Sequence, residues 1–273
     1  MAPSLEAFSG HTLLRGYPDV DPSAIPSTPQ SVTSDGAAGA AAAVAALMAL
    51  HLRDRTGKGQ LIEMAQVENF MPLLGQAFMD YSLNRRIQKP QGNRHSSAAP
   101  CDVYPCSGED CWVGITVYDD EQWQGLRRVL GDPEWARDAR FDTVLGRHRN
   151  QDEMDSRIAE WTSSHEKYEV MHLLQGQGVP CGPVINDADA FSDPHLLERG
   201  CFQDVEAHGM GSYQMPGPIW RMSETPLSIR HRAPDLGEHN EYVYKELLGY
   251  SDQEYNRLEA EGHIGDAPAH HIP

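Results

Sequence analysis

Basic residues are scarce in this sequence: 22 Lys and Arg stand against 40 Asp and Glu over 273 residues, a formal charge of −18 at pH 7. That balance argues against a nucleic-acid binder, whose phosphate contacts need a basic surface, and against docking on anionic lipid. No basic segment followed by an apolar stretch opens the chain, so no secretory leader is expected. The longest apolar run, Gly36 to Leu50, is short and alanine-rich for a bilayer span. A cytoplasmic protein without membrane contact is the expectation. Cysteine is sparse as well, and the count of 5 is odd, which fits reduced thiols in the cytoplasm. Cys101, Cys106 and Cys111 recur at a spacing longer than the C-x-x-C of zinc sites, so no metal site is expected. There is no internal repeat and no low-complexity block beyond one alanine run. Thr56-Gly57-Lys58-Gly59-Gln60 lacks the full phosphate-loop pattern.

With 40% hydrophobic residues, the chain can bury a sizeable core as one large or two small domains. Prolines at 18, 22, 26 and 29 make residues 1–33 read as an irregular lead-in. A helix is predicted from about Gly36 to Arg53, then a short apolar strand at Gln60–Met64 and a second helix at Val67–Leu83. Residues 88–100 read as a polar loop. Val103-Tyr104 and Cys111–Val117 alternate like strands, and Asp120–Leu130 reads as an amphipathic helix with Trp123, Leu126 and Leu130 inward. Helices near Asp152–Ser163 and Lys167–Gln175 follow, with acidic residues near their starts. The last third offers strands at Pro183–Ile185 and Phe202–Val205, a Pro/Gly-rich segment from Gln214 to Pro226, and helices near Glu241–Leu248 and Asp252–Glu261. The composition shift suggests three parts: residues 1–100, a small α+β domain over 101–178, and a C-terminal segment over 179–273.

Asp35 opens the helix of small residues that begins Ser34-Asp35-Gly36-Ala37-Ala38-Gly39. Read locally, it is an N-cap, a position where Asp accepts from orphan N–H groups and the helix dipole favours its charge. Gly36 adds no side chain to shield the carboxylate, and the small residues after it leave room for a bulky partner. The surrounding residues carry a resemblance. Ser34-Asp35-Gly36 with Gly39, Ala45-Ala46-Leu47, Arg53, and Thr56-Gly57-Lys58-Gly59-Gln60 are similar to the signature region of the class III CoA-transferases, the CaiB/BaiF family that includes formyl-CoA transferase. Val179-Pro180-Cys181-Gly182-Pro183-Val184, Asp193-Pro194 with Leu197, and Pro234-Asp235-Leu236-Gly237-Glu238-His239 follow in the family's order.

The resemblance implies an α/β fold, with part of a Rossmann-like large domain joined to a small α+β domain. Residues 1–100 would then be a large-domain segment with the catalytic helix and linker, and 179–273 would return to the large domain. It implies that Asp35 is the nucleophile of a CoA-transferase acting between carboxylic acids. A coenzyme A thioester would be a substrate, with no permanently bound cofactor. Family members carry an N-terminal segment with most of the CoA contacts ahead of the stretch matched here by Glu6-Ala7-Phe8-Ser9-Gly10. The CoA-binding residues are therefore unassigned, and one subunit of a split enzyme is expected: a homo-oligomer, or a hetero-oligomer with a chain supplying that half. The loop Gly92-Asn93-Arg94-His95-Ser96-Ser97 falls where formyl-CoA transferase has a glycine-rich lid. Arg94 or His95 could hold a substrate carboxylate there, or the segment could be an ordinary mobile surface loop. Two alternatives stay open: an acyl-CoA racemase of the same fold, whose partner His would lie about thirty residues upstream of Asp35, near Met1, where no His precedes His11, and a non-catalytic fragment.

Overall fold

The computed structural model describes residues 2–21 and 33–267. The chain divides into two compact units, Met1–Val184 and Ile185–Pro273. Residues 22–32, with three of the prolines named above, lie outside the described residues.

In the first unit, residues 2–9 are not irregular as expected but form helix α1 (Ala2–Ser9), which passes through Gly10 at φ 90° into a single 3-10 turn, His11–Leu14. Pro3 sits in the first turn, where its missing N–H costs nothing. Helix α2 runs from Thr33 to Thr56, longer at both ends than the Gly36–Arg53 expected. Its alanines, leucines and methionines are strong helix formers. Gly57, at φ 70°, ends it by donating its N–H to the Arg53 carbonyl at 2.7 Å, a left-handed cap that suits glycine. Only Ser34 and Ala38 of α2 are buried, while Val44, Leu47, Met48, Leu50 and Leu52 are exposed. The full helix, longer than the Gly36–Leu50 run, is long and apolar enough to cross a membrane by length and composition alone, a test that the core helix of a soluble protein also passes.

Residues 58–65 follow as irregular chain rather than a strand at Gln60–Met64, and Leu61 stands 92% exposed. A strand is completed by a hydrogen-bonding neighbour, and none of the described residues pairs with this segment. The expected second helix is broken into α3 (Gln66–Phe70), a 3-10 turn (Met71–Leu74) and α4 (Gly75–Asn84). Pro72 explains the break, because it lacks the N–H that would continue the α-helical ladder.

After the loop over residues 85–100 comes strand β1 (Cys101–Pro105), paired antiparallel with β2 (Trp112–Thr116) so that Val103 faces Gly114. Helix α5 (Asp120–Val129) is capped by Asp119, which accepts from the Gln122 N–H at 2.8 Å. Two 3-10 turns then lead to α6 (Val144–Arg149), α7 (Gln151–Thr162) and α8 (Lys167–Gln175). Strand β3 (Cys181–Pro183) closes the sheet on the far side of β2, Gly182 opposite Gly114. The core of this unit is drawn from Ala99 to Val179: Val113, Ile115 and Val117 on the sheet side pack with Trp123, Leu126, Phe141, Met154, Ile158, Val170 and Leu174. Arg147 is fully buried among them. It donates to the carbonyls of Ala99 (2.8 Å) and Phe141 (2.9 Å) and to Asp120 (3.0 Å), and lies over the Trp123 ring.

The second unit opens with two short helices that sequence reading missed, α9 (Asp187–Ser192) and α10 (Pro194–Glu198). Asn186 and Asp189 form a reciprocal capping box, and Asp193 caps α10 with Pro194 at its first position, both strong starting signals. Strands β4 (Phe202–Ala207) and β5 (Gly211–Pro216) form a hairpin, so residues 214–216 of the expected Pro/Gly-rich segment are strand. The unit ends with a π-helical turn (Tyr242–Leu247) and α11 (Asp252–Ala260), close to the two helices expected.

Candidate active site

Asp35 lies in the first turn of α2, inside the helix rather than capping it, and its side chain is exposed. The first-turn N–H groups have no carbonyl partner within the helix, so the carboxylate still sits at the positive end of the dipole. The side-chain amide of Gln66, at the start of α3, donates a hydrogen bond to Asp35 Oδ1. A Cβ placed on Gly36 or Gly39 would meet nothing within 4 Å, so the surface beside Asp35 is open to a bulky group.

A buried carboxylate that sequence reading left without a role contacts the backbone next to Asp35. Glu6 of α1 is 1% exposed. A charge so deprived of water must be paired, and Glu6 Oε2 lies 3.1 Å from His11 Nδ1 and 3.6 Å from Arg15 Nη1. Its Oε1 accepts from the backbone N–H of Ser34 at 3.5 Å, immediately before Asp35. The His11 ring then meets Phe70 edge-on, with centroids 5.2 Å apart. Phe70 belongs to α3, the helix that presents Gln66 to Asp35. Glu6 and His11 thus tie α1 to both elements that carry the Asp35–Gln66 pair. Glu6 was visible only as part of the matched Glu6–Gly10 stretch. Its partner at Ser34 is too distant in sequence for a local pattern to show.

The loop of Gly92, Asn93, Arg94, His95, Ser96 and Ser97 is anchored at several points. Gly92, at φ 64°, donates its N–H to the Gly16 carbonyl at 2.9 Å, and a Cβ there would fall 2.6 Å from the Tyr17 ring. Glycine is required by both the conformation and the approach. Asn93 donates to Tyr17 Oη (3.1 Å) and Asp102 (2.9 Å), and the His95 carbonyl accepts from His148 Nε2 at 2.7 Å. Arg94 is bound by Asp152, with Asp155 Oδ2 3.6 Å away, so its guanidinium is already committed to acidic partners. Asp155 also accepts from the Tyr104 hydroxyl at 2.7 Å, and its burial pushes its carboxyl up to about 6 against the pull of Tyr104 and Arg94. Among the described residues no hydrogen bond or ion pair joins Asp35 to this loop.

The cysteines are all free thiols. Burial pushes Cys106 up to about 11 and Cys181 up to about 12, far from the thiolate that nucleophilic chemistry requires. No group of three or more His, Cys, Asp or Glu among the described residues is arranged to hold a metal.

A model of CoA-transferase family III matches residues 2–240 of the chain. The chain belongs to this family. It is 31% identical over 255 residues to the succinyl-CoA–D-citramalate CoA-transferase of Chloroflexus aurantiacus, covering 93% of this chain and 62% of that relative. It is 32% identical over 252 residues to the alpha subunit of succinyl-CoA–L-malate CoA-transferase from Chloroflexus aurantiacus, covering 92% and 58%. Among solved structures, a CaiB/BaiF family protein from Brucella suis superposes with a TM-score of 0.74 at 29% identity, covering 89% of this chain and 61% of that one. The chain thus spans about three fifths of the length of the relatives it matches. The mixed helix and strand architecture is that of the CaiB/BaiF fold. Among the described residues, every paired strand is antiparallel.

Proposed function

We propose that this chain takes part in CoA transfer between carboxylic acids, with Asp35 as the covalent nucleophile. The observation that carries the reading is an exposed carboxylate in the first turn of α2, steadied by Gln66 and flanked by open space, in a member of CoA-transferase family III. Asp35 attacks the thioester carbonyl of an acyl-CoA, the carbon–sulfur bond breaks, and CoA thiolate leaves an acyl-aspartyl anhydride. The thiolate then attacks the aspartyl carbonyl, releasing the first acid and forming an aspartyl-CoA thioester. The acceptor carboxylate displaces CoA from this thioester to give a second anhydride. Attack by the thiolate on its acyl carbon yields the new acyl-CoA and restores Asp35. The first-turn N–H groups of α2 are the donors suited to the oxyanions formed on Asp35. Relatives named for succinyl-CoA with malate or citramalate favour dicarboxylic acids as the exchanged substrates.

The enzyme works in the cytoplasm in this reading, and association with a second polypeptide or a second copy covers the exposed face of α2. Two facts support the association: the apolar side chains left uncovered on α2, and relatives named as alpha and beta subunits of one enzyme. The test is mass spectrometry of the chain incubated with succinyl-CoA, alone and in an assembly reconstituted with its partner. The expected result is an adduct on the peptide bearing Asp35, trapped by hydroxylamine and lost in Asp35→Asn. Exchange at the wild-type rate by Asp35→Asn rejects the assignment.

A further inference from the structure

A cavity of about 990 Å³ lies between α4 and the chain over residues 86–96, with His148 contributing from α6. Its lining inverts the charge balance of the molecule. The chain as a whole has nearly two acidic residues for every basic one, whereas here Arg86 and Lys89 stand against Asp80 alone, Arg94 being paired outside the lining with Asp152. Asp80 is itself satisfied: it accepts from Arg86 at 2.7 Å, Asn84 at 2.9 Å and Gln88 at 3.3 Å, and the Arg86 bond above all holds its carboxyl below the usual range.

Unused donors remain after that pairing. Arg86 donates its Nε to Asp80, and among the described residues its terminal nitrogens make no hydrogen bond or ion pair. Lys89 has no hydrogen bond or ion pair among the described residues. The Ser97 N–H donates to His95 Nδ1 at 3.3 Å, with Ser97 Oγ 3.1 Å from the same nitrogen, so Nε2 is the ring nitrogen left for a ligand. The segment that carries Lys89 and His95 is held by Gly16, Tyr17 and His148, so these donors are presented on a fixed frame. Met79 and Leu83 add an apolar wall. The groove is open, with Met79 and Leu83 themselves more than half exposed, and an apolar margin beside several unpaired donors is the composition of a small-molecule site.

We propose that this cavity binds an organic oxyanion, a carboxylate or a phosphate, with Lys89 and Arg86 as charge partners and His95 Nε2–H as an orienting donor. The inference rests on the transferase reading for its ligand class, since both oxyanions occur on the substrates of such a reaction. In a molecule so acidic, anions are repelled at long range, so any affinity must come from this local group of donors.

The test is calorimetric titration of the full chain at low salt with succinate and, separately, with pyrophosphate. Binding of succinate alone assigns the site to the acid, and binding of pyrophosphate alone assigns it to the phosphate portion of the thioester. Lys89→Gln and His95→Gln should each weaken the bound probe by roughly fivefold or more, as expected for a charge-assisted contact at a partly exposed site. Lys58→Gln, which removes a cation from the turn after α2, should leave binding unchanged. Absence of binding by both probes overturns the proposal, as does equal weakening by all three variants or no weakening by Lys89→Gln and His95→Gln. Exchange without a measurable anion site overturns this inference and leaves Asp35 standing. An anion site that persists without any exchange rejects the transferase reading and leaves the cavity assignment intact.

Discussion

Glu6 and Asp155 are two nearly buried carboxylates with opposite consequences. Glu6 is matched by His11, Arg15 and a backbone N–H, so its removal should loosen what it holds. Glu6→Ala is expected to cost about 1–3 kcal/mol, the range for leaving buried hydrogen-bonding groups unmatched. Hydrogen exchange should show the Ser34 and Asp35 amides opening faster, with a smaller effect for Glu6→Gln, which keeps an acceptor. Asp155 is under-matched, and burial lifts its carboxyl to about 6 from an ordinary 3.8. A raised acid pKa means that the folded state holds the proton more tightly than the unfolded chain. The stabilisation from that proton is complete below about 3.8, fades as pH rises through 6, and is absent above it. Asp155→Asn mimics the protonated form, still accepting from Tyr104. It should raise the melting temperature at pH 8 by the equivalent of up to about 3 kcal/mol, with the difference vanishing toward pH 4. An unchanged difference across that range would show that Asp155 is not the titrating group. At this scale the sequence was readable where the signal was local. Asp35 stands beside small residues at a helix start, whereas the partners of Glu6 and Asp155 become neighbours only after folding.

The helices that sequence reading located best, α5, α7 and α8, are those that bury one stripe against the α+β core, because burial imposes the helical period on the pattern. Errors fell where local pattern and context disagree. Gln60–Met64 has the composition of a strand but no pairing neighbour among the described residues, and Pro72 divides a helix whose apolar residues run on past it. The β5 strand was hidden by its Gly and Pro, which suit a hairpin flank as well as a loop. Helix α2 is a different case: a helix apolar on nearly every face belongs in a core, and among the described residues its middle and end are uncovered, as expected of a helix whose cover comes from outside this chain. Exposed apolar patches of this kind mark interaction surfaces. The double change Leu47→Ser with Met48→Ser is therefore expected to reduce self-association in sedimentation at micromolar concentration and to lower hydrophobic-dye binding. A wild-type chain that sediments as a monomer and binds no dye would remove the interface.

Across the molecule, order should follow the distribution of buried apolar groups. The core between Ala99 and Val179 holds most of the buried aromatic and aliphatic side chains, while residues 185–267 contribute only Val205 and Tyr255 to the buried apolar set. Amide protection should accordingly be high in α5, α7 and α8 and low across β4, β5 and α11. Phe141→Ala, which removes a ring fully buried between Trp123 and Trp135, should cost about 3–5 kcal/mol and strip protection from that core. The ends of the three-stranded sheet bear on a different property. Both of its edge strands finish in proline, β1 at Pro105 and β3 at Pro183. A residue without an N–H cannot extend a ladder, so proline blunts the edges along which sheets polymerise. With the association proposed for α2, blunted strands would confine assembly to finite, side-by-side contact through that helix and oppose fibrillar growth through the sheet.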